Sequence, residues 1–165
     1  MKKTLIHLCM GLAGLAAAVP SLALEPGQAA PELRLALPDA ATLAALKGQV
    51  VYLDFWASYC GPCRRSFPWM NQMQARYGER GLRVVAVNLD SKRADAERFL
   101  AQVPAQFAIA YDPAQESPQR FGVKAMPSAL LIGADGRVLR MHSGFQDEQR
   151  AELEAAITQA LAARR

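Results

Sequence analysis

Two rhythms of apolar residues alternate along this chain. Val50-Val51-Tyr52-Leu53-Asp54-Phe55 is a near-continuous run of β-branched and aromatic side chains, the pattern of a strand covered on both faces. One carboxylate, Asp54, interrupts it. From Cys60 to about Tyr77 the period lengthens: Phe67, Met70, Met73 and Tyr77 recur at intervals of three or four, which predicts a helix with one apolar face. Pro68 is its only interior breaker and predicts a kink rather than an end. Gly78 to Gly81 closes the helix, and Leu82 to Leu89 (LRVVAVNL) returns to the buried-strand pattern. Strand, helix and strand in that order predict a right-handed parallel crossover.

Beyond this unit, Ser91 is placed to cap a helix over Ala94 to Val103. Phe107 to Tyr111 predicts a short strand, and Asp112 to Phe121 a loop with one helical turn. Ser128 to Ile132 and Arg137 to His142 flank the turn signal Ala134-Asp135-Gly136 and predict an antiparallel hairpin. Asp147 stands where it would cap a last helix carrying Leu153, Ile157 and Leu161, with Arg164 and Arg165 at its negative end. Ahead of the core, Glu25 to Pro38 reads as a lead-in packed on the domain edge, with a short strand at Leu33 to Leu37. Ala41 to Leu46 follows as a short helix or irregular turn. The sum is one α/β domain over residues 24–165, a mixed central sheet with helices on both faces, without internal repeat or linker.

With 52% apolar and 21% charged residues in 165, the chain is globular rather than disordered. Residues 1–23 change the charge picture. Met1-Lys2-Lys3, an apolar run from Leu5 to Val19 and Pro20-Ser21-Leu22-Ala23 form a secretory signal, cut after Ala23. The run is shorter than the roughly 20 residues of a membrane span, so a retained anchor is disfavoured and the expected location is the periplasm. Cleavage removes Lys2 and Lys3 from the 19 basic residues, leaving 17 against 15 acidic ones. That balance gives no nucleic-acid footprint. Cys9 leaves with the signal, so the mature chain keeps only Cys60 and Cys63. A bridge closing so short a loop constrains little of the unfolded chain, which makes the pair chemical rather than structural.

Two thiols at i and i+3 where a strand turns into a helix have a specific chemistry. Unpaired N–H groups and the helix dipole stabilise a thiolate at the first position, lowering its pKa below the usual value of about 8.5. Cys60 is therefore the candidate nucleophile, and Cys63, one turn on and facing inward, the thiol that resolves a mixed disulfide. Gly61 lets a partner backbone approach, and Pro62 fits a first helical turn, where its missing N–H is no loss. Asp54, buried in the strand, has two readings: a desolvated carboxyl that accepts a proton from Cys63, or an aspartate satisfied by backbone amides at a strand end. Other chemistries fit less well. A zinc site needs about four ligands and the mature chain offers two thiols and His142; covalent haem needs histidine where Arg64 stands; a cysteine hydrolase needs a histidine partner, whereas His142 reads as a surface or edge residue. Met70, Met73, Met126 and Met141 follow no metal-binding repeat and read as core packing.

These residues resemble the thioredoxin superfamily, and within it the exported TlpA/ResA-like thiol:disulfide oxidoreductases. The resemblance is carried by Val51 through Cys63 (VYLDFWASYCGPC), by Pro68, and by Gly122-Val123-Lys124-Ala125-Met126-Pro127-Ser128. It spans roughly residues 28–162. It implies a thioredoxin-like fold in which Ser91 to Lys124 holds an extra helix and strand, and a cis Met126-Pro127 bond facing the cysteines. It further implies that the Met126 backbone pairs with substrate, and that Trp56 and Tyr59 line the site. The redox group would be the Cys60–Cys63 disulfide itself, with no other cofactor and no metal. The implied partners are proteins with disulfides, cytochrome c maturation among the roles, and a membrane thiol reductase as electron donor. Gly61-Pro62 and Asp54 depart from the TlpA-like pattern toward that of cytoplasmic thioredoxin, which points to a reductant. A periplasmic oxidase or isomerase, and a copper or haem-maturation chaperone on the same scaffold, remain as alternatives.

Overall fold

The computed structural model describes residues 24–164; the expected signal segment and Arg165 lie outside the described residues. Strand β1 (Val50–Trp56), whose seven side chains are all buried, forms the middle of a five-stranded sheet. On one side β2 (Leu82–Asn88) runs parallel to it, with Val50 opposite Leu82 and Trp56 opposite Asn88. Outside β2, β3 (Ala108–Tyr111) is again parallel. On the other side β4 (Ser128–Ile132) is antiparallel and is followed by its hairpin partner β5 (Val138–Ser143), giving the order β3-β2-β1-β4-β5. Helix α1 (Cys63–Tyr77) joins β1 to β2 and continues through Pro68; α2 (Arg93–Gln102) joins β2 to β3. The four-residue α3 (Ser117–Arg120) precedes β4, and α4 (Arg150–Ala163) follows β5. The extra helix and strand expected before Pro127 are thus α2 and β3.

Because side chains alternate across a strand, β1 feeds two cores. Val50, Tyr52 and Trp56 point to a cluster with Phe67, Met70 and Met73 of α1, Phe99 of α2 and Leu153 and Ile157 of α4. Val51, Leu53 and Phe55 point to the opposite cluster, built from Leu33, Leu35, Leu43, Leu46 and Phe121. Both faces are covered, but unequally: the three long helices share one face. The other is closed by the segment before β1, its single 3-10 turn at Leu43–Leu46, and the chain around α3. Right-handed crossovers that step the same way across a sheet place their helices on the same side, which is why α1 and α2 lie together.

Four local expectations are corrected. Leu33 to Leu37 forms no strand, only a bridge between Arg34 and Thr42, because its backbone pairs with the chain just ahead of it (Leu35 N–H to Ala41 O, 2.9 Å; Leu43 N–H to Leu33 O, 2.8 Å). The lead-in is also no edge decoration, since Leu35 is 2% exposed within the second core. Ser91 does not cap α2: the backbone is extended through Lys92, which takes the cap position. Asp147 lies inside a 3-10 turn and pairs with Arg150 at 2.8 Å, while Gln146 and Gln149 make the reciprocal capping bonds.

Burial of the lead-in makes a stability prediction. Leu35→Ala should lower the unfolding free energy by about 2–4 kcal/mol in urea titration. The same change at the exposed Leu139 should cost within about 0.5 kcal/mol.

Candidate redox site

Strand β1 ends at Trp56, and the chain turns sharply: the Cys60 N–H donates to Ala57 O at 3.0 Å and the Cys63 N–H to Cys60 O at 3.2 Å. This turn places the start of α1 at Cys63 rather than Cys60, with Pro62 in the cap position at φ −61°. Cys60 and Cys63 are joined by a disulfide. Cys60 is 6% exposed and Cys63 0%, so only the first offers any surface to solvent. A Cβ built on Gly61 meets nothing of this chain, leaving open space over the bridge.

The expected site residues fall into an exposed group and an enclosed one. Tyr59 is 70% exposed, while Trp56 is fully buried, packed at 4.9 Å on Phe67 and 4.8 Å on Phe99. The Trp56 ring therefore supports the turn from below and presents no surface to a substrate in this form. The Met126-Pro127 bond is cis. Phe55 is paired with Ser128, so Pro127 continues opposite Trp56, at the end of the sheet that bears the cysteines. Pro127 O accepts the Gly144 N–H at 2.7 Å, and Ser128 Oγ donates to Ala125 O at 2.8 Å. Half-buried Met126 makes no backbone hydrogen bond within the described residues, so its N–H and C=O are open to an extended partner.

Asp54 is 1% exposed. Its place in the alternation puts it on the face that carries α1 and the cysteines. Across the sheet its row reads Ala86, Asp54, Ala129, His142, so a methyl group flanks the carboxyl on either side. Oδ2 has no hydrogen-bond partner, which removes the reading of an aspartate satisfied by backbone amides. Burial alone pushes this carboxyl well above the ordinary carboxylate range. Desolvation acts here without a counter-charge, the condition that raises a carboxyl's affinity for its proton.

Two features were not read from the sequence. First, Asp90 grips the turn before Cys60: Ser58 donates to it through N–H at 2.9 Å and through Oγ at 2.8 Å, and Asn88 Nδ2 fixes the same carboxylate at 2.7 Å. The signal was Asn-Leu-Asp at the end of a buried strand, the sheet edge where sites gather in α/β folds. Second, His142 is on the edge strand as expected but turns inward, with Nε2 2.8 Å from the Tyr52 hydroxyl and Nδ1 3.2 Å from Gly144 O. A carbonyl only accepts, so Nδ1 carries the hydrogen and the Tyr52 hydroxyl donates to Nε2. Burial holds His142 below the usual imidazole value, and burial with the nearby Asp54 charge raises Tyr52. Among the described residues no group of three or more His, Cys, Asp or Glu side chains is assembled as a metal site.

A family model, Redoxin, matches residues 25–157. The chain belongs to the Redoxin family. Among related redoxins, a thiol-disulfide oxidoreductase ResA of Halalkalibacterium halodurans is 32% identical over 110 residues, 67% of this chain and 62% of the relative. A ResA of Bacillus thuringiensis is 33% identical over 67% of this chain and 64% of the relative. The chain thus spans less than two thirds of the length of these curated relatives. Among solved structures, a Chlorobium tepidum protein described as a thiol:disulfide interchange protein of the DsbE type is 52% identical, with a TM-score of 0.81, over 84% of this chain and 99% of that one. A thiol:disulfide interchange protein from Bacteroides sp., 18% identical with a TM-score of 0.70 over 83% of this chain and 93% of its own, shares the fold.

The uncompensated carboxyl gives a signed pH prediction. Its folded pKa lies above its unfolded one, so its stabilising contribution is complete below about pH 4 and is lost as pH rises through the folded value. Denaturant melts of the oxidised protein should show wild type losing stability relative to Asp54→Asn as pH rises from 4 to 8. Parallel curves would contradict the assignment.

Proposed function

We propose that this redoxin is an exported thiol:disulfide oxidoreductase that reduces protein disulfides. The observation that carries the reading is the pairing of one edge-exposed and one fully buried cysteine in a single bridge, on the same sheet face as a buried carboxyl without a partner. In the dithiol form the Cys60 thiolate attacks a substrate disulfide, forming a Cys60–substrate mixed disulfide and releasing one substrate thiolate, which takes up a proton. Asp54 accepts the Cys63 proton, and the Cys63 thiolate attacks the Cys60 sulfur. The Cys60–Cys63 bridge forms and the second substrate thiol leaves, so two electrons pass from the pair to the substrate. Tyr59, Gly61, Pro62 and the Met126-Pro127 loop form the surface on which the substrate strand lies, and Trp56 holds the turn from beneath. The disulfide itself is the redox group, with no other cofactor. A membrane-bound thiol reductase returns the pair to the dithiol state.

The ResA and DsbE names of the relatives favour thiol exchange. The direction rests on Gly61-Pro62, the dipeptide of thioredoxin, whose potential is about −270 mV against about −120 mV for the oxidant DsbA. The pair here should equilibrate with glutathione or dithiothreitol buffers at a potential below about −200 mV; a value above about −150 mV would assign the chain to oxidation.

Cys63→Ala should accumulate mixed disulfides on Cys60 that non-reducing gels resolve, and Cys60→Ala should accumulate none. Asp54→Asn should slow bridge closure at pH 7 by about 100-fold, the lower end of the range for general base catalysis. The deficit should shrink near pH 9, where a thiol of pKa about 8.5 ionises unaided.

A further inference from the structure

Four exposed cations stand around the cysteine turn. Arg64 and Arg65 follow Cys63 in the first turn of α1, Lys92 takes the cap position of α2 two residues after the Asp90 that grips Ser58, and Lys124 lies two residues before Met126. The parallel strands β1 and β2 end, and β4 begins, at this one edge of the sheet, so the segments that carry the four cations leave or enter it beside the cysteine turn, a cationic rim. None is in an ion pair. Eight other arginines among the described residues are each paired with a carboxylate, such as Arg76 with Glu154 at 2.9 Å and Arg140 with Glu152 at 2.6 Å. Of the remaining unpaired cations, Lys47 precedes β1 and Arg80 and Arg164 lie before β2, where Arg164 Nη1 donates to Arg80 O, while Arg34 lies beside Tyr111 and Asp112 at the outer end of β3.

The carboxylates near the rim are already engaged. Asp90 is buried and bound by Ser58 and Asn88. Asp112 accepts from the Ser117 N–H and hydroxyl, and Glu97 is paired with Arg93. The exposed acid left without an ion pair at this end is Glu148, in the turn before α4. Arg64 is held with its guanidinium 5.0 Å above Phe99 and one nitrogen on Gln102 at 3.0 Å, which leaves most of its five donors free. Asp90 is buried and Asp112 half-buried, so the exposed charge around the reactive sulfur is carried mainly by the four cations, with the exposed Tyr59 ring and the open Met126 backbone among them.

Resting on the reductase reading above, we propose that this rim docks acidic protein segments, so that the preferred substrates carry Asp or Glu beside the disulfide to be reduced. Complementary charge acts mainly on encounter and orientation and is screened by salt. If the rim served only to stabilise the Cys60 thiolate, all substrates would be affected alike.

The test uses the full chain in its dithiol form and three synthetic peptides with the same disulfide, flanked by glutamates, by serines or by lysines. At low ionic strength the second-order rate constant should be about 10-fold or more higher for the glutamate peptide than for the lysine peptide, with serine between. In about 0.5 M salt the spread should contract below about threefold, as expected when the Debye length falls under 5 Å. Arg65→Glu combined with Lys124→Glu should reverse the order. Rates within threefold for all three peptides at low salt would overturn the acidic-partner inference alone, leaving thiol exchange standing. Failure to reduce any of the three would overturn the reductase reading and this inference with it. Equal peptide rates accompanied by binding to phosphatidylglycerol vesicles would assign the rim to a membrane surface instead.

Discussion

All seven side chains of β1 are buried, and one of them is a carboxyl group. Placing an acid in the most enclosed strand, with Oδ2 unpaired and alanines on either side, costs stability that a hydrocarbon side chain would not. The rest of the site is arranged so that this cost has a use. α1 packs on the same face, its first residue is Cys63, and the fully buried sulfur of that residue belongs to the cluster that Asp54 faces. A carboxyl whose proton affinity is raised by desolvation, on the same face as a thiol that must ionise only after a mixed disulfide has formed, is a base matched to its task.

Around that acid, rigid contacts fix the cysteine turn from three directions. Trp56 wedges it against Phe67 and Phe99, Asp90 holds Ser58 by two hydrogen bonds, and the Pro127 loop is tied to Gly144. Trp56 and Asp90 are withheld from a partner, whereas Tyr59, Gly61 and the Met126 backbone are not. The division separates positioning from recognition. The buried shell sets where the sulfurs stand, and the open edge with its cations sets what reaches them.

Much of this was legible in the sequence because the decisive signals are local. The continuous run of β1, the three-to-four spacing of Phe67, Met70 and Met73, and the Cys-Gly-Pro-Cys turn are local signals, and they located their elements except that α1 starts at Cys63 rather than Cys60. The burial of Asp54 followed from the run around it. What escaped depends on contacts between distant positions: Ser58 with Asp90, Tyr52 with His142 ninety residues away, and the lead-in leucines with Val51 and Leu53. A single aspartate after a strand or a lone histidine in a hairpin carries no mark of its partner. Capping failed at Ser91 and Asp147 because the cap positions fall on their neighbours, Lys92 and Gln146.

The account stands on the protonation state of one group, and that is directly measurable. Carbon-13 labelling of aspartate, with the Asp54 signal assigned by its absence in Asp54→Asn, allows the carboxyl to be titrated by NMR in both the disulfide and dithiol forms. The account predicts a midpoint well above the ordinary value of about 3.9 in both forms, with its titration in the dithiol form coupled to that of Cys63. A midpoint near 4 would leave Asp54 too weak a base to take a proton from Cys63 near neutral pH, and would contradict the account.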